Sequence, residues 1–478
     1  MAKKPFFYTI FNLLFSMIYY IMIIGEIMFE NKKILILGMA RSGVEASKVL
    51  IKRGNEVIIN DLKEEEKHDK EIVKKLRESG IKLVLGSHPK DLLDNSFDYL
   101  IKNPGIRDDN EIVLKARELN IPVINEVELA YSLIPKNVTI IGITGTNGKT
   151  TTTTITYEIM HKAFGDRVHL VGNIGYPLCS VLDKLKSDDI LVMEVSVQQS
   201  VNIKEFHPHI ALITNYSPAH IDFVGSYENY KKIKAKMFYN QEAGDIAILN
   251  LGNSEVLDEM KNIKSIKKYF SSKEKTDCYL DNNAIYYHGE KVIDTSIIKI
   301  PGIHNIENIL GAISITKEFN VSNEVIYDVI NNFYGVEHRL EFVDEINGVR
   351  FYNDTEATNI KCTQIALSSF NKPTIIILGG LERGQNFDDL ADYMKNVKAI
   401  IGIGECRERV REFGLKNSIP TYISEYLKDG FKDIVKLMKP GDIVLLSPAS
   451  ASWDQYKECE VRGAEFKELV RSMKNGNN

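Results

Sequence analysis

The chain has 478 residues, 44% hydrophobic and 26% charged, with a formal net charge of −5. That length exceeds what one hydrophobic core supports, and the composition excludes a disordered, fibrous or collagen-like chain. A slightly acidic balance gives no support for a nucleic-acid partner. Five scattered cysteines (Cys179, Cys278, Cys362, Cys406, Cys459) without a C-x-x-C pair fit neither a zinc site nor a disulfide framework.

In chain order, residues 1–29 form a hydrophobic leader. Phe6 to Gly25 carries no charge and follows Lys3 and Lys4; alone it reads as a transmembrane or signal-anchor segment that would hold the lysines in the cytoplasm. The preferred reading is initiation at Met28, just before the first strand, in a cytoplasmic protein. A membrane anchor is the alternative.

Residues 30–127 open with an apolar strand, Lys33 to Gly38, a turn Gly38-Met39-Ala40-Arg41-Ser42-Gly43, and a helix to about Arg53. Glu56 to Asn60 is the next strand, ending at Asp61. This is a Rossmann-like β-α-β unit with an acid about twenty residues past the turn. Ala40 stands where G-x-G-x-x-G has the glycine that lets backbone approach a pyrophosphate. A nucleotide diphosphate other than NAD therefore fits these strand ends at least as well. Asn103-Pro104-Gly105-Ile106 follows Tyr99-Leu100-Ile101 at another strand end on the ligand-binding side.

Residues 128–335 carry the most specific motif. The strand Val138 to Ile143 leads to Gly145-Thr146-Asn147-Gly148-Lys149-Thr150-Thr151, then to a helix predicted over Thr152 to Phe164. A glycine-bearing turn between strand and helix presents N–H groups and a helix N-terminus to a polyphosphate. Lys149 would reach the β- and γ-phosphates and the Thr150 hydroxyl a magnesium ion, although Ile143 sits where the common motif has its first glycine. Strands at Ile190 to Val195 and Ile210 to Asn215 follow. Glu194 ends one of them and reads as a magnesium partner to Thr150; the plain alternative is a solvated strand-end carboxylate. His220 and Asp222 lie in the loop after the other, where a histidine is more often structural. Lys234 is one lysine among four in Tyr230 to Lys236, and pattern alone does not single it out. Alternation of strand and helix is expected to about Tyr334, with Lys261 to Lys275 as a solvated helix face.

Residues 336–478 read as a second Rossmann-like unit with strands at Val349 to Tyr352, Thr374 to Leu378, Ala399 to Gly402 and Ile443 to Leu446. The expected fold class is α/β in three domains: Rossmann-like, central P-loop ATPase, Rossmann-like, with joints near 128 and 336.

The ordered set of phosphate loop, strand-end acid, Asn-x-x-x-x-His-x-Asp (Asn215 to Asp222) and tyrosine-led lysine segment resembles the Mur ligase superfamily. So do three stretches of the last domain: Asn353 to Asn359, Leu378 to Gly384, and Leu446-Ser447-Pro448-Ala449-Ser450-Ala451-Ser452-Trp453-Asp454-Gln455. The resemblance covers about Lys32 to Phe466, and the last stretch is specific to the member that adds D-glutamate. It implies an ATP-dependent ligase joining D-glutamate to UDP-N-acetylmuramoyl-L-alanine through an acyl phosphate in peptidoglycan precursor synthesis. It also implies two Mg2+ ions, a carbamylated lysine, small-molecule substrates only, and a monomer.

Carried over by position, the resemblance implies catalytic roles for Lys149, Glu194, His220 and Lys234. The metal ligands would be Thr150, Glu194, His220 and carbamylated Lys234. ATP would be bound by Gly145, Thr146, Asn147, Gly148, Lys149, Thr150 and Thr151, with Asn305 and Asn308 on the adenine, Arg339 on phosphate and Asp354 on the ribose. Met39, Ala40, Asp61, Asn103, Gly105 and Asn173 would bind the UDP-substrate. Glu356, Thr358, Arg383, Ser452 and Cys459 would line the amino-acid pocket. Domain closure would exclude water from the acyl phosphate.

Some residues depart from the family pattern. Glu356 stands where members usually carry lysine, Cys459 where an aromatic is common, Ala219 where an acid commonly precedes the histidine, and Val197-Gln198 where Ser-Phe follows the strand-end acid. An anion beside a dicarboxylate substrate opposes binding, and Arg383 is the expected compensation. Glu356 keeps open a different amino acid, neutral or cationic. The rival readings are a folylpolyglutamate synthase-like ligase, an inactive nucleotide-binding scaffold, and an NAD-dependent oxidoreductase.

Overall fold

The computed structural model describes residues 29–475, so the leader and both readings of it lie outside the described residues. Among the described residues no helix is long and apolar enough to cross a membrane. The chain divides into two compact units. The first runs to Cys278 and adds Gly311–Val321; the second is Tyr279–Leu310 with Ser322 onward.

The first unit begins with a parallel sheet of β1 (Lys33–Leu37), β2 (Glu56–Asp61), β3 (Lys82–Leu85), β4 (Tyr99–Lys102) and β5 (Val123–Ile124), ordered β3-β2-β1-β4-β5. Ile34 and Ile36 of β1 pack into one hydrophobic cluster and Leu35 and Leu37 into another. Both faces of the strand are thus buried, as a sheet covered on two sides requires. The chain crosses from the β3 edge to β4 beside β1, so the turns after β1 and β4 leave the sheet together at a topological switch point. Gly38 has φ +99°, and a Cβ there would meet the Cβ of Asn103 at 2.8 Å; only glycine lets the two turns lie so close.

The same unit holds β6 (Thr139–Thr144), β7 (Val168–Gly172), β8 (Ile190–Glu194), β9 (Ile210–Ile213), β10 (Ile246–Asn250) and β11 (Ile266–Ser271), parallel in the order β11-β10-β9-β6-β8-β7. The register sets Glu194 beside Ile143 and Ile213 beside Thr144. The helix after the phosphate loop is Lys149–Phe164, three residues longer at its start than expected, because Gly148 in the left-handed region (φ +81°) caps it directly. The helix expected within Lys261 to Lys275 is instead strand β11. Ile266, Tyr269 and Phe270 favour an extended chain, and pairing with β10 outweighs the helix preference of the lysines.

β12 (Cys278–Asp281) carries the chain into the second unit. There β13 (Ala284–Tyr287) and β14 (Glu290–Asp294) form an antiparallel hairpin, which breaks the strand–helix alternation expected to Tyr334. The remaining strands are β15 (Glu341–Ile346), β16 (Val349–Asn353), β17 (Thr374–Gly379), β18 (Val397–Ile403), β19 (Thr421–Ile423) and β20 (Ile443–Leu446), ordered β15-β16-β20-β17-β18-β19. Only the β15–β16 pair is antiparallel in this sheet. Ile376 and Leu378 of β17 enter one cluster and Ile375 and Ile377 the other, the same two-faced burial as in β1.

Candidate active site

The phosphate loop leaves the end of β6 under tight constraint. Gly145 has φ +139°, and a Cβ there would fall 1.9 Å from Thr214 Oγ1. Asn215 holds the loop shape: its carbonyl accepts from the Thr146 N–H (2.9 Å) and its Oδ1 from the Asn147 N–H (3.0 Å). Thr146 Oγ1 contacts the Tyr230 hydroxyl at 2.9 Å and donates to the Ser217 carbonyl at 3.1 Å. Two loop N–H groups expected to face phosphate are therefore committed to Asn215. The first turn of helix Lys149–Phe164, which has no side-chain cap, remains as the anion-binding element. Lys149 Nζ folds back onto the Thr146 carbonyl at 2.8 Å.

Glu194 is 1% exposed at the end of β8. Its Oε1 accepts from Asn173 Nδ2 at 2.7 Å, and its carbonyl accepts from the Asn173 N–H at 2.9 Å. Its Oε2 is buried with no hydrogen-bond partner, which is the condition of an oxygen that awaits a cation or a donor. Lys234 is likewise 1% exposed; its Nζ donates to Thr144 Oγ1 at 3.2 Å and lies 5.3 Å from the centre of the Tyr230 ring. Burial, then the charge of Lys149, pushes the Lys234 ammonium well below its ordinary pKa, against the pull of Glu194. His220 sits in the left-handed region (φ +52°) at the head of helix Ile221–Val224. Desolvation, then Lys149 and Lys234, lowers the imidazole pKa against Asp222, which favours the neutral ring and its lone pair.

The fold thus gathers Lys149, Glu194, His220 and Lys234, far apart in sequence, around the phosphate loop with Thr150. Among the described residues no group of three His, Cys, Asp or Glu side chains converges as a metal site. A cation held at Glu194 Oε2 would need further oxygens from Thr150 or from a modified Lys234, since an amine does not suit a hard divalent ion.

Two cavities adjoin at the turn after β1, the first of them at the switch point of the sheet. One, of about 400 Å3, is lined by Ala40, Asn103, Gly105, Glu126 and Asn173 among others. The other, of about 570 Å3, is lined by Met39, Lys63, His68 and Tyr176. Arg41 and Pro177 border both, and Arg41 Nη2 donates to the Gly175 carbonyl at 2.5 Å between them. Asp61 acts on backbone, accepting from the N–H groups of Met39 (2.6 Å) and Lys63 (2.8 Å). All six residues expected for the UDP-substrate thus border or brace these cavities. Sequence reasoning missed Arg41 and Glu126; an acid two residues before the expected joint at 128 is the one signal that could have marked Glu126.

In the second unit, Asn308 Nδ2 donates to Asn305 Oδ1 at 3.1 Å, and Asn305 Nδ2 to the Pro301 carbonyl at 2.7 Å. Asp354 accepts from the Leu340 N–H (3.1 Å) and from Ser447 Oγ (2.7 Å), and burial pushes its carboxyl up to about 7. Arg339 is ion-paired to Glu356, and the Glu356 N–H donates to the His338 carbonyl at 3.2 Å. Thr358 continues this turn, its N–H on the Glu356 carbonyl at 2.8 Å. Arg383 is exposed, its guanidinium 5.3 Å from the Trp453 ring centre. Ser452 is 1% exposed with its Oγ unpartnered. Burial, then Glu460, pushes the Cys459 thiol up to about 11, and the Cys459 carbonyl accepts from Thr355 Oγ1 at 2.9 Å. The fold brings Arg339, Asp354 and Glu356 together and leaves Arg383 on the surface beside Trp453. It also reveals a buried Arg462 that sequence reasoning missed.

Residues 32–125 match the family model of the Mur ligase MurD-like N-terminal domain, residues 143–316 that of the Mur ligase middle domain, and residues 338–450 that of the Mur ligase glutamate ligase domain. The chain is 44% identical over 449 residues to a UDP-N-acetylmuramoylalanine--D-glutamate ligase of Streptococcus mutans, spanning 93% of this chain and 98% of that protein. It is 43% identical over 448 residues to a protein of the same name from Streptococcus thermophilus, with the same coverage. Among solved structures, UDP-N-acetylmuramate-alanine ligase MurC from Thermotoga maritima superposes with a TM-score of 0.56 at 19% identity, covering 92% of this chain and all of that one. MurF ligase from Thermotoga maritima in complex with ADP gives 0.54 at 15%, covering 93% and 96%. These two structures share the fold.

Proposed function

The chain belongs to the Mur ligase family, and on that premise we propose that it joins D-glutamate to UDP-N-acetylmuramoyl-L-alanine, an ATP-dependent step of peptidoglycan precursor synthesis. A carboxylate is a poor acyl donor at neutral pH. Transfer of the γ-phosphoryl group of ATP to the alanyl carboxylate makes an acyl phosphate and releases ADP. The amine of D-glutamate then attacks the acyl carbon, and phosphate leaves from the tetrahedral intermediate as the amide forms. ATP confines the reaction to the cytoplasm.

The observation that carries this reading is the position of Asn173, which lines the 400 Å3 cavity and also holds Glu194 beside the phosphate loop. One side chain connects a cleft suited to a nucleotide-sugar with the machinery suited to a triphosphate. Lys149 serves the transferring phosphoryl group, with Gly145 to Thr151 as its cradle. Asn305 and Asn308 serve the adenine, Asp354 the ribose and Arg339 a phosphate. Met39, Ala40, Asp61, Asn103, Gly105 and Asn173 serve the UDP-substrate, and Thr358, Arg383, Ser452 and Cys459 the amino acid with Glu356.

Magnesium held by Thr150, Glu194, His220 and a carbamylated Lys234 would supply charge neutralisation for the phosphoryl transfer. The unpartnered Oε2 of Glu194 and the neutral imidazole of His220 fit such a role. Burial that lowers the Lys234 pKa favours its free amine, which can add carbon dioxide and lose a proton, giving oxygen donors of the kind a hard cation prefers.

The Arg339–Glu356 pair favours a second reading, the same chemistry with a neutral or cationic amino acid, because an anion stands in the expected amino-acid pocket. The test is phosphate release by the purified chain with ATP, magnesium and UDP-N-acetylmuramoyl-L-alanine across D- and L-amino acids. Release with D-glutamate alone supports the first reading and release with another amino acid the second. No release by a folded, ATP-binding protein refutes both and supports an inactive scaffold.

A further inference from the structure

The three stretches that carry the expected pocket residues Glu356, Thr358, Arg383 and Ser452, residues 353–359, 378–384 and 446–455, are joined by one side chain. Arg462, on helix Cys459–Asn475, is 1% exposed. It donates from Nε to Thr355 Oγ1 (3.0 Å), from Nη2 to the carbonyls of Thr355 (3.0 Å) and Ser450 (3.1 Å), and from Nη1 to the Gly379 carbonyl (3.4 Å). Thr355 lies between Asp354 and Glu356. Gly379 opens the turn that carries Arg383, and Ser450 is two residues from the unpartnered hydroxyl of Ser452.

Every acceptor of Arg462 is neutral, and among the described residues no carboxylate is ion-paired to it. Asp454 attracts it through space without an ion pair, its Oδ2 accepting from the Glu405 N–H at 3.1 Å. A buried cation without a paired anion is costly, and an anionic ligand relieves the cost. The nearby anion of Glu356 is already matched by Arg339. A guanidinium is also the only side chain with enough rigid donors to span three segments; an ammonium cannot hold the same fork.

We propose that Arg462 is the positioning residue of the amino-acid pocket, locking its three segments together and holding beneath it a buried positive charge without an ion pair that selects an amino acid with an anionic side chain. The inference rests on the ligase reading above.

The test measures KM for D-glutamate and for D-glutamine at saturating ATP and UDP-substrate in the full chain. Arg462→Lys raises KM for D-glutamate about tenfold, leaves KM for ATP unchanged and keeps the preference over D-glutamine. Arg462→Gln loses that preference. Thr355→Val, which removes the hydroxyl that accepts from Nε and donates to the Cys459 carbonyl, raises the same KM more mildly, and Thr355→Ser, which keeps both bonds, does not. These last two decide the matter if the Arg462 variants do not fold. Wild-type protein active only with a neutral or cationic amino acid overturns the D-glutamate reading and this selectivity together, while the ligase chemistry stands. An active wild type whose variants keep the D-glutamate KM, or lose all three substrates equally, overturns this inference alone.

Discussion

Asn173 grips Glu194 twice, through Nδ2 to Oε1 at 2.7 Å and through its own N–H to the Glu194 carbonyl at 2.9 Å. The other carboxylate oxygen is thereby left buried and unpartnered. Asn173→Ala should free the carboxylate to turn, lowering kcat by about 10- to 100-fold and raising the magnesium needed for half-maximal rate, as losses of orienting partners do at metal sites. Phosphate release titrated with magnesium checks this. An unaltered magnesium dependence would remove the link between the two residues.

Lys149→Ala should abolish ATP-dependent turnover, since its ammonium sits at the head of the phosphate loop. Lys234→Ala should be nearly inactive and partly rescued by a short-chain carboxylate, which returns the oxygens that a carbamate would supply. Mass spectrometry of the intact protein under carbon dioxide should add one carboxyl group at Lys234. Full activity in the unrescued variant would sink the carbamate.

Glu126 is buried, accepts from the Cys179 N–H at 2.5 Å, and has its carboxyl raised from an ordinary 4.5 to about 7 by desolvation. The folded state therefore holds this proton more tightly than the unfolded chain between those two values. Its contribution to stability falls as pH rises through that window, by at most on the order of 3 kcal/mol. Glu126→Gln keeps an acceptor for the Cys179 N–H and removes the titration. Thermal melts should show the variant gaining on the wild type at pH 8 and matching it near pH 4; equal gains at both values would contradict the assignment.

Glu356 neutralises Arg339 and lies in the expected amino-acid pocket. Because the pair is partly exposed, its breakage costs only about 1 kcal/mol or less. Glu356→Gln should therefore fold normally. It should lower KM for D-glutamate by about two- to fivefold, since a like charge has been removed. A raised KM in steady-state assays would mean instead that Glu356 is needed to aim Arg339.

The α/β class, the phosphate loop and the paired strand ends of the first sheet were legible in the sequence. Each is local: a β-branched run, a glycine that admits a positive φ, and a helix start within a few residues. Boundaries shifted where a cap decided them, as at Gly148, and Lys261 to Lys275 misled because its lysines favour a helix while pairing of Ile266–Ser271 with β10 imposes a strand. Glu194 could be suspected from its place at the end of a buried run, but its unpartnered oxygen, the burial that lowers the pKa of the Lys234 amine and the reach of Arg462 to Thr355, Ser450 and Gly379 could not. Burial, hydrogen-bond satisfaction and charge balance depend on residues that meet only when the chain folds. A sequence carries the chemical inventory; desolvation and partner choice, which set what each group does, are properties of the packed structure.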